Sequence, residues 1–197
     1  MTRCTLPLTV LSLGLLFSSA ALAAEPSKTA AAEAGAAGKL AGPDETFVKQ
    51  AAIKDLAEIE LGQMAQKQGQ SEDVKKFGET MVADHTKASQ ELKGLVEGKG
   101  ATLPTELDAK HKATGEKLAK LQGAAFDKAY AAEMVKGHKE AVALFEKASK
   151  SAKDVEIKAH AAKTLPTLQA HLEHAQMLAG STGGGKDKAS KGKEEAQ

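Results

Sequence analysis

SEDVKKFGETMVADHTKASQELKGLV, residues 71–96, reads as one amphipathic helix, and that reading decides the fold. Val74, Gly78, Met81, His85, Ala88, Leu92 and Leu95 recur at alternating steps of four and three, which puts all seven on one face. A stripe of this kind must be buried against other helices, so an all-α chain is expected. Ser71 supplies an N-cap, and Gly98-Lys99-Gly100 ends the segment. The unusual member of the stripe is His85, between Met81 and Ala88, where a helical core ordinarily places Leu or Ala.

Upstream, Pro43-Asp44-Glu45 opens a helix over 44–67, with proline early and acids where they meet the positive end of the helix dipole. Phe47, Ala51, Glu58, Leu61 and Ala65 share its face, and Ile53, Leu56 and Ile59 widen the apolar surface. Gly69-Gln70-Ser71 is a short turn, so the two helices are expected to be antiparallel neighbours. Gly62 and Gly78 lie equally far from that turn, where they let the backbones approach closely. Glu58 and His85 differ in level by roughly 4.5 Å at 1.5 Å per residue, so a carboxylate and an imidazole are expected to face each other.

Downstream, a shorter helix is expected over 106–122, carrying Leu107, His111, Leu118 and Leu121, and Gly123 breaks it. A third long helix over 125–150 has Tyr130, Met134, His138, Ala141, Phe145 and Ala148 on one stripe, again with a histidine in a core-type position. A fourth over 152–179 is expected to kink at Pro166; Ala161, Leu165, Leu168, Leu172 and Ala175 form its apolar stripe, with His171 beside them. No sequence repeat stands out.

The ends read differently. Residues 1–23 combine Arg3, an apolar run from Leu6 to Phe17 and Ala21-Leu22-Ala23, the organisation of a secretory signal peptide. The apolar run is about twelve residues, where a membrane span needs about twenty, so the mature chain is expected to have no transmembrane segment. Residues 24–43 read as a disordered linker and 180–197 as a disordered tail, leaving 44–179 as the folded domain. The chain has 27 basic and 26 acidic residues, a balance that disfavours nucleic acid as the partner. Its one cysteine, Cys4, lies before the apolar run, so disulfides, thiolate metal sites and cysteine catalysis are excluded from the folded domain.

Met81-Val82-Ala83-Asp84-His85-Thr86, Gly123 with Phe126-Asp127-Lys128-Ala129-Tyr130, His138 with Ala141-Val142-Ala143-Leu144-Phe145, and Leu165-Pro166-Thr167-Leu168 leading to His171-Leu172 are similar to a bacterial family, the domain of unknown function number 4142. The resemblance implies a secreted, ferritin-like antiparallel four-helix bundle with a short extra helix between the second and third long helices. It implies a place in the periplasm or outer envelope and no established activity.

Two functional readings follow. In the first, an exported, non-enzymatic envelope protein binds a partner protein or surface, and the buried histidines are core polar groups, each donating one hydrogen bond to Glu58, Tyr130 or a backbone carbonyl. In the second, Glu58, His85, His138 and His171 hold a divalent transition metal, zinc, copper or iron. Val82 and Leu168 stand three residues before His85 and His171, where a di-iron site needs glutamates, which argues against oxygen activation and favours the first reading. His138 and His171 also differ in level by roughly 10 Å when the turn between their helices is centred on Ser151. His171 and His174, at i and i+3, offer a second, surface site. No Ser-centred nucleophile motif supports a hydrolase.

Export predicts a mature chain beginning at Ala24. Intact mass of protein recovered from the envelope fraction checks this, and retention of residues 1–23 would overturn it.

Overall fold

The computed structural model describes residues 39–40 and 42–183. Five helices form, α1 (Gly42–Gln68), α2 (Glu72–Val96), α3 (Ala109–Ala119), α4 (Gly123–Ser151) and α5 (Val155–Gly183), with no strand among the described residues. The all-α expectation holds. The expected signal peptide, most of the expected linker and residues 184–197 lie outside the described residues. Ordered packing starts earlier and ends later than the composition of the ends implies. Leu40 is buried and its N–H donates to the Lys99 carbonyl at 3.1 Å, while α5 continues through Gly180 to Gly183. α3 is shorter than expected, because Asp108 accepts from the His111 N–H at 2.8 Å and so caps the helix there.

α1 packs on α2, α4 on α5, α1 on α4 and α2 on α5, and α3 lies across α1 and α4. The α1–α2 turn and the α4–α5 turn are each held by a buried aspartate from the other pair. Asp127 on α4 accepts from the Gln70 and Ser71 N–H groups at 2.9 and 2.8 Å. Asp44 on α1 accepts from Lys153 at 2.9 Å and from Asp154 at 2.7 Å. Each carboxylate thereby satisfies N–H groups that a turn would otherwise leave without partners. Asp44 precedes Ser71 by 27 residues, and Asp127 precedes Asp154 by the same 27. The two helix pairs thus repeat one construction that side-chain identity conceals.

Gly62 and Gly78 do bring α1 and α2 together. A Cβ at either would stand 2.7 Å from the other's carbonyl oxygen, closer than real Cβ atoms come. The burial of the stripes departs from expectation on α2 and on α1. Phe77 on α2 is fully buried although it lies off the seven-residue line, and Leu95 yields its core position to Val96. On α1, Glu58 is buried with its stripe as expected and Asp55 is buried as well, whereas Ile53, Leu56 and Ile59 are only half-buried.

The core falls into two apolar clusters. Phe47, Val48, Ala51, Leu92, Val96, Phe145 and Ile157 belong to one. Leu61, Val74, Phe77, Met81, Phe126, Tyr130, Met134 and Leu178 belong to the other. No helix among the described residues is long and apolar enough to cross a membrane.

Gly78→Ala is expected to destabilise the fold by about 1–3 kcal/mol even after the gain in helix propensity, because its Cβ meets backbone. Glu79→Ala, one residue along on the exposed face, is expected to stay within about 0.5 kcal/mol. Urea unfolding of both variants checks this, and equal midpoints would mean that the close approach is misplaced.

Candidate metal centre

Between the two apolar clusters lie three buried imidazoles, His85 from α2, His138 from α4 and His171 from α5. Their ring centroids are 5.4 to 5.8 Å apart in pairs, so they form a nearly equilateral triangle. One nitrogen from each lies within 4.8 Å of those of the other two. The expected 10 Å difference in level between His138 and His171 is absent. α4 runs to Ser151 and α5 starts only at Val155, so the turn is centred near residue 153, which reduces the offset to about three residues.

Each ring has one nitrogen engaged. The His85 Nδ1–H donates to Asp55 Oδ1 at 2.9 Å, the His138 Nδ1–H to the Met134 carbonyl at 2.9 Å, and the His171 Nε2–H to Asp84 Oδ2 at 2.9 Å. The acceptors assign the engaged nitrogen of each ring as its N–H, and a ring in its neutral form carries its lone pair on the other nitrogen. Those other atoms, His85 Nε2, His138 Nε2 and His171 Nδ1, are buried and have no hydrogen-bond partner among the described residues. Buried nitrogens are rarely left this way, and here three occur in one place.

Charge is distributed unevenly. Burial drives the His138 imidazole down to about 3, helped by its neighbour His85, so His138 is neutral. Burial also lowers His171, partly opposed by its bond to Asp84. Burial would lower His85 too, but the hydrogen bond to Asp55 and the carboxylates of Glu58, Asp55 and Asp84 outweigh it and raise it. Asp55 is itself raised by burial, against the pull of its hydrogen bond to His85.

Glu58 is buried and lines the same cavity as His85, but His85 donates its hydrogen bond to another carboxylate. Asp55, one turn earlier, takes that place, and Glu58 Oε1 lies 3.8 Å from His138 Nδ1, the ring nitrogen already bonded to Met134. Glu58 is therefore outside the cluster of three nitrogens. Burial raises its carboxyl to about 7, and its Oε2 has no partner among the described residues. Tyr130 is a buried core ring stacked on Phe126, but no described group bonds its hydroxyl, contrary to expectation. His174 packs edge-on against Phe77, with ring centroids 4.6 Å apart. Asp84 on α2 spans to α5 and orients His171. The sequence carried a signal for it, since Asp84 adjoins His85. For Asp55 the only signal was its position one turn before Glu58.

Glu58, Asp55, Asp84 and the three histidines line a cavity of about 30 Å³, with Ala88, Thr164 and Thr167 among the other walls. A transition metal needs ligand nitrogens at about 2.0–2.1 Å, which sets them roughly 3.4 Å from one another. Starting from separations of up to 4.8 Å, each ring has to move inward by less than about 1 Å. Three ring nitrogens this close together, each on a ring with an acceptor behind it, fit such an ion.

The family described as a domain of unknown function, DUF4142, matches residues 29–178. The chain belongs to that family. No curated protein matches it. Among solved structures, the DUF4142 chain is similar to a DUF305 fragment from Deinococcus radiodurans at 12% identity and a TM-score of 0.65, covering 73% of this chain and 99% of that one. A DUF305 protein from Streptomyces coelicolor, described as secreted, is similar at 13% identity and a TM-score of 0.62, covering 72% and 92%. CopM in its Cu(II)-bound form is similar at 16% identity and a TM-score of 0.60, covering 70% and 96%. At these identities the likeness is one of fold.

Asp55→Ala is expected to cost about 3–5 kcal/mol, because it strands a buried imidazole. Asp84→Ala, whose side chain is 45% exposed, is expected to cost about 1 kcal/mol or less. Chemical denaturation of the two variants checks the ranking.

Proposed function

We propose that this chain is an exported, non-enzymatic metal-binding protein that holds one divalent transition ion on His85, His138 and His171. The observation that supports it is a triangle of three rings that bring a nitrogen each within 4.8 Å of one another, where every ring has one nitrogen engaged and the other buried without a partner. The structural reading of the histidines accounts for the engaged side of each ring and leaves the other three nitrogens unexplained. Histidines serving only as core polar groups would be expected to place both nitrogens against acceptors or donors.

Imidazole donors suit zinc, copper, nickel or iron, and intrinsic affinity rises towards Cu²⁺. No cysteine or methionine side chain lines the cavity, which weighs against a site built for Cu⁺ or another soft cation. Asp55 and Asp84 bring two negative charges behind the rings, enough to offset a divalent ion in a buried site. Glu58 is the natural further ligand only if its carboxylate turns away from His138 Nδ1 towards the triangle. In this reading the four long helices form a ferritin-like antiparallel bundle, and the signal sequence at 1–23 places the protein in the periplasm or outside the cell. The likeness to a Cu(II)-bound structure agrees with the reading.

Tag-free protein is expected to take up one equivalent of Zn²⁺ or Cu²⁺, measured by elemental analysis and calorimetry. At a hundredfold excess over the dissociation constant, the ion should stabilise the fold by about 2.7 kcal/mol, raising the thermal midpoint by about 5–10 °C. His85→Gln and His138→Gln should each weaken binding by more than about 100-fold while keeping the helical circular dichroism. Unchanged metal content in both variants would return the histidines to a purely structural role.

A further inference from the structure

The cavity around the triangle is not closed equally on all sides. On the α1–α4 side, the Lys54 ammonium meets Glu140 at 3.3 Å, Lys110 meets the same carboxylate at 3.0 Å, and α3, which carries Lys110, lies across these two helices. A cation arriving there encounters two ammonium groups and a covering helix. The opposite side, between α2 and α5, has no covering helix among the described residues, and the Lys163–Glu91 ion pair, at 3.0 Å, crosses it. Its walls are Asp84 and Ala88 on α2 and Thr164 and Thr167 on α5. Ala88 and Thr164 are half-buried and Thr167 is exposed, so this wall reaches solvent. α2 and α5 are less tightly joined than α1 with α2 or α4 with α5.

Asp84 stands at this seam with two tasks. One oxygen accepts from His171 Nε2 at 2.9 Å, while the side chain remains 45% exposed. A carboxylate at the boundary of water and cavity attracts a cation and shortens its search for the nitrogens behind it. The nearby Lys163 is directed to Glu91, at 3.0 Å, and not to Asp84.

We propose that the metal ion enters and leaves through the α2–α5 seam, past Asp84 and Thr167, so that the centre exchanges its ion with solvent and handles it as cargo. The inference rests on the metal-binding reading and adds a route and a lability to it. A site loaded only during folding would need no seam, and its ion would leave only on unfolding.

The route is tested on the full-length mature chain with Zn²⁺ as the probe, by stopped-flow loading and by release into excess chelator. Thr167→Trp places a large ring at the mouth from an exposed position that a folded chain accommodates. It is expected to slow loading and release together by at least tenfold and leave the dissociation constant within threefold, because an obstruction acts equally in both directions. Asp84→Asn keeps an acceptor for His171 and removes the charge, and is expected to slow loading severalfold. Lys110→Met, on the opposite side and outside the cavity wall, should leave both rates unchanged. Zn²⁺ loading and release that are indifferent to Thr167→Trp, or accelerated by Lys110→Met, overturn the route alone. Release from the wild type only at the rate of global unfolding overturns the lability. A wild-type chain that takes up no metal overturns the binding reading and the route with it.

Discussion

Three imidazoles buried across the middle of an apolar core must each be given a hydrogen-bond acceptor, and that requirement organises the residues around them. Asp55, Asp84 and the Met134 carbonyl meet it, one for each ring. An imidazole buried with neither nitrogen paired would cost on the order of 1–3 kcal/mol per group, so these bonds are a condition of the layer's existence rather than a surplus. Cohesion comes from elsewhere. The two apolar clusters on either side supply the burial, and the Gly62–Gly78 contact brings α1 and α2 close enough for Asp55 to reach His85.

Axial register is the second condition. The triangle takes one histidine from the α1–α2 pair and two from the α4–α5 pair, so sliding one pair by a single helical turn, about 5.4 Å, would dismantle it. Asp44 and Asp127 oppose such sliding, since each is rooted in one pair and bonded to the turn of the other. Their equal 27-residue spacing to the next helix cap means that both pairs are held by the same device, at opposite positions in the chain. Precise placement of the imidazoles thus depends on carboxylates far from them.

The fold and the chemistry rest on different warrants. Structures at 12–16% identity share the arrangement of helices, and at that distance a common fold accommodates unrelated sites. What speaks for a metal here is local: one nitrogen of each ring with nothing to bond, the other held by an acceptor, and two carboxylates to balance an ion. The absence of glutamates at positions 82 and 168 separates this donor set from the di-iron pattern and leaves an imidazole centre suited to binding.

Much of the fold was legible in residues 71–96 and their flanks. Helical period named the helices, the short turn at Gly69 made the first two antiparallel, paired glycines announced their close approach, and His85, His138 and His171 were visible as polar residues on buried stripes. These properties follow from spacing along one helix, which a sequence displays directly. Asp55 and Asp84 as partners, the burial of Phe77, the exclusion of Glu58 from the nitrogen triangle and the coincidence of His138 with His171 were decided only in three dimensions. Each depends on how one helix is rotated and shifted against another. Moving the centre of the α4–α5 turn from Ser151 to residue 153 changes the relative level of the two histidines by about 6 Å, the difference between two separate residues and one site. Period alone places a residue on a face; the turn geometry and the buried aspartates that brace it determine what that face meets.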